Sequence, residues 1–242
     1  TLWHAGISYL HFCLLWTDFI MPKLIKNCTL SPVEIEAIFA QLSQDRPNPK
    51  TELVYINPFT LLCAVALSAQ ATDVGVNKAT KALFQAADTP QKMLNLGELG
   101  VAEHIKTIGL WRNKAKNLIT MSRQLVDNFG GQVPQTREEL VTLAGVGRKT
   151  ANVVLNEVCG QPTIAVDTHI FRVGNRTGMA IGKTPDEVEA GLEAVIPAQY
   201  KLGAHHWLIL HGRYICVARK PKCNMCSIVA LCKFDGKVGG SL

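Results

Sequence analysis

The sequence predicts an all-α fold. Three segments carry the pattern of a helix N-terminus, a Ser or Thr cap with a Glu three positions later, at Ser31, Thr136 and Thr184. The stretch 58–69 is apolar almost all round, which predicts a helix buried on every side. Alternating apolar and polar runs bounded by hairpin turns, the signal of strands, do not occur.

Composition indicates a globular protein. The 242 residues are 48% hydrophobic and 18% charged, enough to bury the core of one large or two small domains. The net charge of +6 favours a polyanionic partner only weakly.

Residues 1–20 differ in character from the rest and are interpreted as an atypical N-terminal extension, with Met21 as a candidate start. Their apolar run is interrupted by His4, His11 and Asp18 and is too short to cross a bilayer. Neither a secretory signal nor a mitochondrial presequence fits, so we expect no membrane insertion and no secretion.

Four cysteines near the C-terminus carry the sharpest signal. They are separated by six, two and five residues: Cys216, Cys223, Cys226 and Cys232. Disulfides at this spacing would be strained, whereas thiolates bind zinc or iron-sulfur clusters. Structural zinc sites commonly have two short cysteine pairs, and only one is present here, so the spacing favours a [4Fe-4S] cluster over zinc. Both the cluster and unpaired thiols suit a reducing, cytoplasmic compartment.

The segment 143–150, LAGVGRKT, predicts a tight hairpin between two helices. Gly145 and Gly147 permit positive φ or close approach of another backbone. Free N–H groups at the start of the second helix, together with its dipole, would favour a bound phosphate. A plain turn between helices is the alternative for a Gly-x-Gly alone.

Lys149 adds chemistry to the hairpin. The positive end of a helix dipole disfavours an ammonium, and a neutral amine is a nucleophile that forms Schiff bases. Simple pairing with phosphate is the alternative.

Asp167 follows an apolar run and precedes a helix-like segment. The position predicts an N-cap. The same backbone N–H groups that a cap binds would keep the carboxylate ionised and oriented.

Together these motifs resemble the endonuclease III family, bifunctional glycosylases of the helix-hairpin-helix superfamily. The resemblance covers about Ser31 to Val238 and rests on LSAQATD at 67–73, IKTIGL at 105–110, GVGRKTANVVLN at 145–156, VDTHIFRV at 166–173, HHWLILHGR at 205–213 and the cysteine loop.

The resemblance implies two helical domains with a DNA-binding cleft between them. A six-helix domain would span 51–161, with the helix-hairpin-helix at about 136–159. An iron-sulfur domain would combine 21–50 with 162–242.

The resemblance also implies an activity: excision of oxidised pyrimidines from double-stranded DNA, then β-elimination at the abasic site through a Lys149 Schiff base. Asp167 would accept a proton or stabilise positive charge at the sugar. A monomer acting on damaged nucleoid DNA of a bacterium is expected. The implied DNA contacts are Gln70, Asp73, Leu110, Gly145, Gly147, Arg148, Thr150, His169, Arg219 and Lys220.

One position departs from the family pattern. The hairpin commonly has proline where Ala144 stands here, and we therefore expect a less rigid hairpin with retained activity. An adenine-mismatch glycosylase, a non-catalytic DNA-binding protein and a cluster-bearing redox protein are the rival functions.

Overall fold

A computed structural model describes residues 27–238. The expectations for residues 1–20 and for Met21 therefore lie outside the described residues. Within them the chain forms ten α-helices and no strand, which confirms the all-α prediction. The helices are α1 Pro32–Asp45, α2 Pro58–Leu67, α3 Asp73–Ala86, α4 Pro90–Ile105, α5 Trp111–Phe129, α6 Arg137–Leu140, α7 Arg148–Cys159, α8 Thr168–Thr177, α9 Pro185–Val195 and α10 Lys201–Tyr214.

The predicted helix caps are present. Complete capping boxes begin α1 at Ser31 and α9 at Thr184. At Thr136 the box is incomplete, because the Glu139 carboxylate accepts from the Thr136 hydroxyl instead of a backbone N–H. The apolar helix predicted at 58–69 is α2, which ends at Leu67 and is buried over most of its surface.

Two hydrophobic cores organise the molecule. The first is formed by residues from Leu53 to Leu155 together with Ala165, and it contains α2 and the faces of α3, α4, α5 and α7. The second combines α1 with residues from Ile164 to Ile228. The chain therefore leaves the second core after α1 and returns to it after α7.

The end of α10 leads into the cysteine loop. Trp207 of α10 donates its indole N–H to the carbonyl of Arg46 at 2.8 Å, which fastens α10 to the end of α1. A 3-10 turn, Cys223–Met225, follows in the loop. No helix of the described residues is long and apolar enough to cross a membrane.

Candidate active site

The predicted hairpin connects α6 to α7. Gly145 has φ +78°, and a Cβ there would lie 3.1 Å from the Asn117 amide, so the position requires glycine. Gly147 instead has extended backbone (φ −96°, ψ 177°), so the positive φ considered for it is wrong. Its surroundings are open, and no side chain caps the start of α7. The N–H groups of this helix start are therefore available to an anion.

Ala144 makes a hydrogen bond that proline could not make. Its backbone N–H donates to Gln124 Oε1 at 2.8 Å, while Gln124 Nε2 donates to the Thr142 carbonyl at 3.0 Å. The Gln124 side chain of α5 thus binds two residues of the segment that leads from α6 to Gly145. We therefore expect the bond from the Ala144 N–H to Gln124 to oppose the loss of hairpin rigidity that the absence of proline implies.

Lys149 lies in the first turn of α7, and its side chain is exposed. It lines a cavity with Asp73, Thr150, His205 and Arg213, whose apolar wall is formed by Leu53, Val65, Val153 and Ile209. The cavity combines an amine, a carboxylate, an imidazole and a guanidinium at one helix N-terminus.

His205 is neutral at physiological pH. Burial lowers its pKa to about 3, and the charge of Lys149 is among the smaller contributions to this shift. Its Nδ1 accepts the backbone N–H of Ala165 at 3.4 Å. The imidazole therefore adds no positive charge to the cavity.

Asp73 is paired with Arg213 across the cavity. The guanidinium donates to Asp73 Oδ2 at 2.6 Å and also to the Glu52 carboxylate. Asp73 thus lies in the same cavity as Lys149, as expected of a residue that contacts DNA. Its carboxylate, however, is already bound by Arg213 of α10. The pairing joins residues 140 positions apart, so no sequence pattern near Asp73 indicates it.

Asp167 is the N-cap of α8, as predicted. Its Oδ1 accepts from the backbone N–H groups of His169 at 2.8 Å and Ile170 at 2.9 Å. The carboxylate is half-buried and does not line the cavity around Lys149. The structure therefore fixes the orientation of Asp167 but does not place it in the same cavity as the amine.

Gln70 and Leu110 lie in adjacent loops, after α2 and before α5. Both are exposed, and both have left-handed backbone, with φ of 54° and 59°. Such a conformation is costly for a residue other than glycine.

Arg148 and His169 contact the protein itself. Arg148 forms a two-pronged ion pair with Glu189 of α9, with Nη2 to Oε1 at 2.7 Å. His169 Nδ1 lies 3.2 Å from Arg172 Nη2, and Arg172 also donates to the Gly212 carbonyl. The sequence predicts no role for Glu189. No motif around it indicates its pairing with Arg148, which lies 41 positions away.

The four C-terminal cysteines line a single, mostly apolar cavity. They are unpaired and half-buried. Polar groups approach three of them. Arg176 Nη1 lies 3.6 Å from Cys216 Sγ, His211 Nε2 lies 3.7 Å from Cys226 Sγ, and the Arg176 carbonyl oxygen lies 3.6 Å from Cys232 Sγ. Among the described residues, no three His, Cys, Asp or Glu side chains are close enough together to hold one metal ion.

The basic residues of the cysteine loop face outward. Arg219 and Lys220 are exposed between Cys216 and Cys223, and Lys220 has φ +53°. Among the other cysteines of the described residues, Cys63 is fully buried in α2 and Cys159 is half-buried at the end of α7.

Comparison with known proteins agrees with this geometry. The sequence profile described as "HhH-GPD superfamily base excision DNA repair protein" matches residues 63–198. Endonuclease III of Haemophilus influenzae is 58% identical over 201 residues, covering 83% of this chain and 95% of that protein. Endonuclease III of Escherichia coli K12 is 57% identical with the same coverage.

Solved structures give the same relationship. A trapped covalent intermediate of endonuclease III with DNA superposes with a TM-score of 0.79 at 42% identity, covering 84% of this chain and 96% of that chain. A thermostable thymine-DNA glycosylase superposes with a TM-score of 0.72 at 26% identity, covering 84% and 94%. The chain therefore belongs to the HhH-GPD superfamily of base excision DNA repair proteins and, within it, to the endonuclease III family.

Proposed function

We propose that this base excision repair glycosylase removes oxidised pyrimidines from double-stranded DNA and nicks the abasic strand by β-elimination through Lys149. As a member of the endonuclease III family, the chain is a DNA glycosylase with lyase activity at abasic sites. The observation that carries the finer proposal is the exposed amine of Lys149 at an uncapped helix N-terminus, beside a cavity with Asp73 and a neutral His205.

The chemistry begins at the sugar. Lys149 Nζ, once deprotonated, attacks C1′, and the bond from C1′ to the base breaks with its electron pair leaving on the base. The attached nitrogen loses a proton, and the bond from C1′ to the ring oxygen O4′ then breaks, with O4′ taking up a proton as the nitrogen lone pair forms a protonated imine with C1′. Loss of a proton from C2′ expels the 3′ phosphate, which is the β-elimination step.

Asp167 supports this sequence. Because Oδ1 is held by two N–H groups of α8, the carboxylate stays oriented while Oδ2 accepts the lysine proton or faces the developing positive charge at the sugar. Since Asp167 does not line the cavity in the free protein, the two groups would converge on the bound nucleotide.

Access to C1′ requires the damaged nucleotide to leave the duplex. Gln70 would occupy the space that the nucleotide leaves in the duplex, and Leu110 would act as a wedge against the opposite strand. Both side chains are exposed, and both residues have left-handed backbone in adjacent loops. Backbone N–H groups at Gly145 and Gly147 would bind phosphate on the same strand. Asp73, Thr150 and His169 would border the bound strand, and Arg219 and Lys220 would add contacts from the cysteine loop. Arg148 would lie beside them with its guanidinium bound to Glu189 rather than to DNA.

The cysteine cavity fits a [4Fe-4S] cluster held by Cys216, Cys223, Cys226 and Cys232. All four thiols line one mostly apolar cavity, and their spacing has only one of the two short pairs common in structural zinc sites, which favours the cluster over zinc. Burial raises the pKa of Cys226 to about 11, so a bound cationic centre would be needed to hold it as a thiolate. When bound, the cluster supplies four iron–thiolate bonds that cross-link the loop carrying Arg219 and Lys220.

The two hydrophobic cores support a division into two domains, 51–161 and 21–50 with 162–242. The active cleft would lie between them, with Lys149 contributed by one and Asp167 by the other. We place a monomer of this form on damaged nucleoid DNA of a bacterial cell, since the relatives reported above are bacterial.

Borohydride trapping on duplex DNA with a defined oxidised pyrimidine or an abasic site tests the proposal. The wild type should give a covalent adduct and Lys149→Ala none, while Lys81→Ala, which removes an exposed lysine of α3, should behave as the wild type. Failure of the cluster-loaded wild type to trap either substrate would refute the proposal.

A further inference from the structure

Glu189 is a buried carboxylate on which several elements converge. It lies in α9 and is 4% exposed. Arg148 of α7 donates to it through Nε and Nη2, and Arg137 of α6 approaches its Oε1 to 3.9 Å. Two guanidinium groups thus compensate for the cost of burying this charge. Both helices of the helix-hairpin-helix are attached to the second core through a single side chain.

Asn152 extends the contact toward Asp167. Its side-chain amide is fully buried and donates both to Glu189 Oε1 at 3.1 Å and to the Ile164 carbonyl at 3.2 Å. The Thr163 hydroxyl donates to the Asn152 carbonyl at 2.6 Å. The segment that leads into Asp167 is therefore bonded to α7 twice, through the side chain and through the backbone carbonyl of Asn152.

The position of this network relates it to the chemistry. Asn152 lies three residues after Lys149 in α7, less than one helical turn away. Ile164 lies three residues before Asp167. A displacement of Glu189 or Asn152 is thus transmitted to the amine through one turn of helix and to the carboxylate through three residues of chain.

We propose that Glu189 is a positioning residue that sets the placement of Lys149 relative to Asp167, acting through Arg148 and Asn152. The inference rests on the proposed function. It also assigns Arg148 a different role from a phosphate contact, because its guanidinium is directed to the carboxylate of α9. Optimal geometry between reacting groups governs the rate of a bound complex, so the network should control turnover more than DNA affinity.

Two single variants and their combination test this. Glu189→Gln keeps the side-chain shape and removes its charge, and Arg148→Gln removes the partner. Each should lower the single-turnover rate of base excision and of borohydride trapping by about 10- to 100-fold. The dissociation constant for duplex DNA and its salt dependence should stay at wild-type values. The double variant should be no slower than the slower single variant, because both changes break one interaction.

Glu138→Gln is the matched control, since Glu138 is exposed on α6 and lies outside this network. It should retain the wild-type rate. Thermal unfolding of each variant shows whether it is folded at the assay temperature. If Glu189→Gln gives no folded protein, Arg148→Gln decides, because the Arg148 side chain is half exposed.

Wild-type single-turnover rates in folded Glu189→Gln or Arg148→Gln would overturn the inference. So would an Arg148→Gln variant with weaker DNA binding and a shallower salt dependence but an unchanged rate, since that is the behaviour of a phosphate ligand. A wild type that forms no adduct refutes the proposed function itself. A wild type that traps DNA no faster than these variants refutes only the role of Glu189.

Discussion

Gln70 and Leu110 lie in neighbouring loops, because the backbone of Gln70 is close to Gly109, the residue before Leu110. A Cβ placed on Gly109 would lie 3.8 Å from the Gln70 carbonyl oxygen. Both residues have positive φ, and in the described part of the chain Lys220 is the only other non-glycine residue that does. All three are among the DNA contacts that the family resemblance implies. Strain of this kind persists where the surrounding structure imposes it and is concentrated at functional sites.

Leu110→Gly should stabilise the free protein while impairing DNA processing. Glycine adopts positive φ without the steric cost that leucine has, about 1 kcal/mol, and Leu110 is 57% exposed, so little burial is lost. Excision from duplex should slow because the wedge is absent. Chemical denaturation and single-turnover assays measure the two effects. Leu202→Gly, in an exposed helical position, should instead destabilise by about 1 kcal/mol.

Gln124→Ala should loosen the hairpin. The change removes the bonds to Ala144 N–H and the Thr142 carbonyl, at a cost of about 1–2 kcal/mol in the free energy of unfolding. Ala144→Pro should gain no stability, because the stiffer turn, worth up to about 1 kcal/mol, is offset by the lost bond to Gln124. Urea unfolding of both variants checks this. A clear stabilisation by Ala144→Pro would show that the Gln124 bond contributes little.

The local parts of this structure were predictable from sequence and the long-range parts were not. The caps at Ser31 and Thr184 depend on residues three positions apart. Gly145 was predictable because glycine is the residue type that readily adopts the positive φ found there. The pairs Arg148 with Glu189 and Asp73 with Arg213 join residues 41 and 140 positions apart, so they depend on how the helices pack. Leucine disfavours left-handed backbone, so the residue type at 110 gives no indication of the positive φ that the structure has there.

Acid should destabilise the protein through His205. The folded-state pKa is about 3 against about 6.5 unfolded, because burial disfavours the charged ring. As pH falls below 6.5 the unfolded state takes up a proton that the folded state does not, so stability declines by about 1.4 kcal/mol per pH unit toward pH 3. Between pH 6 and 5 most carboxylates are still ionised, but burial also lowers the pKa of His211, to about 4, so both histidines contribute to the loss of stability there. Urea unfolding in that window should show a shallower pH dependence for His205→Gln than for the wild type, and His104→Gln controls for loss of a histidine.

Asp167→Asn should separate the two roles of this residue. Asparagine caps helices about as well as aspartate, so α8 and the free energy of unfolding should be retained. The amide neither accepts the lysine proton nor balances positive charge at the sugar, so base excision should fall by about 100-fold or more. Asp167→Ala should lose the cap as well, at about 1 kcal/mol. Thermal unfolding and single-turnover excision, measured on both variants, distinguish the roles. Equal excision by Asp167→Asn and the wild type would leave Asp167 with a capping role alone.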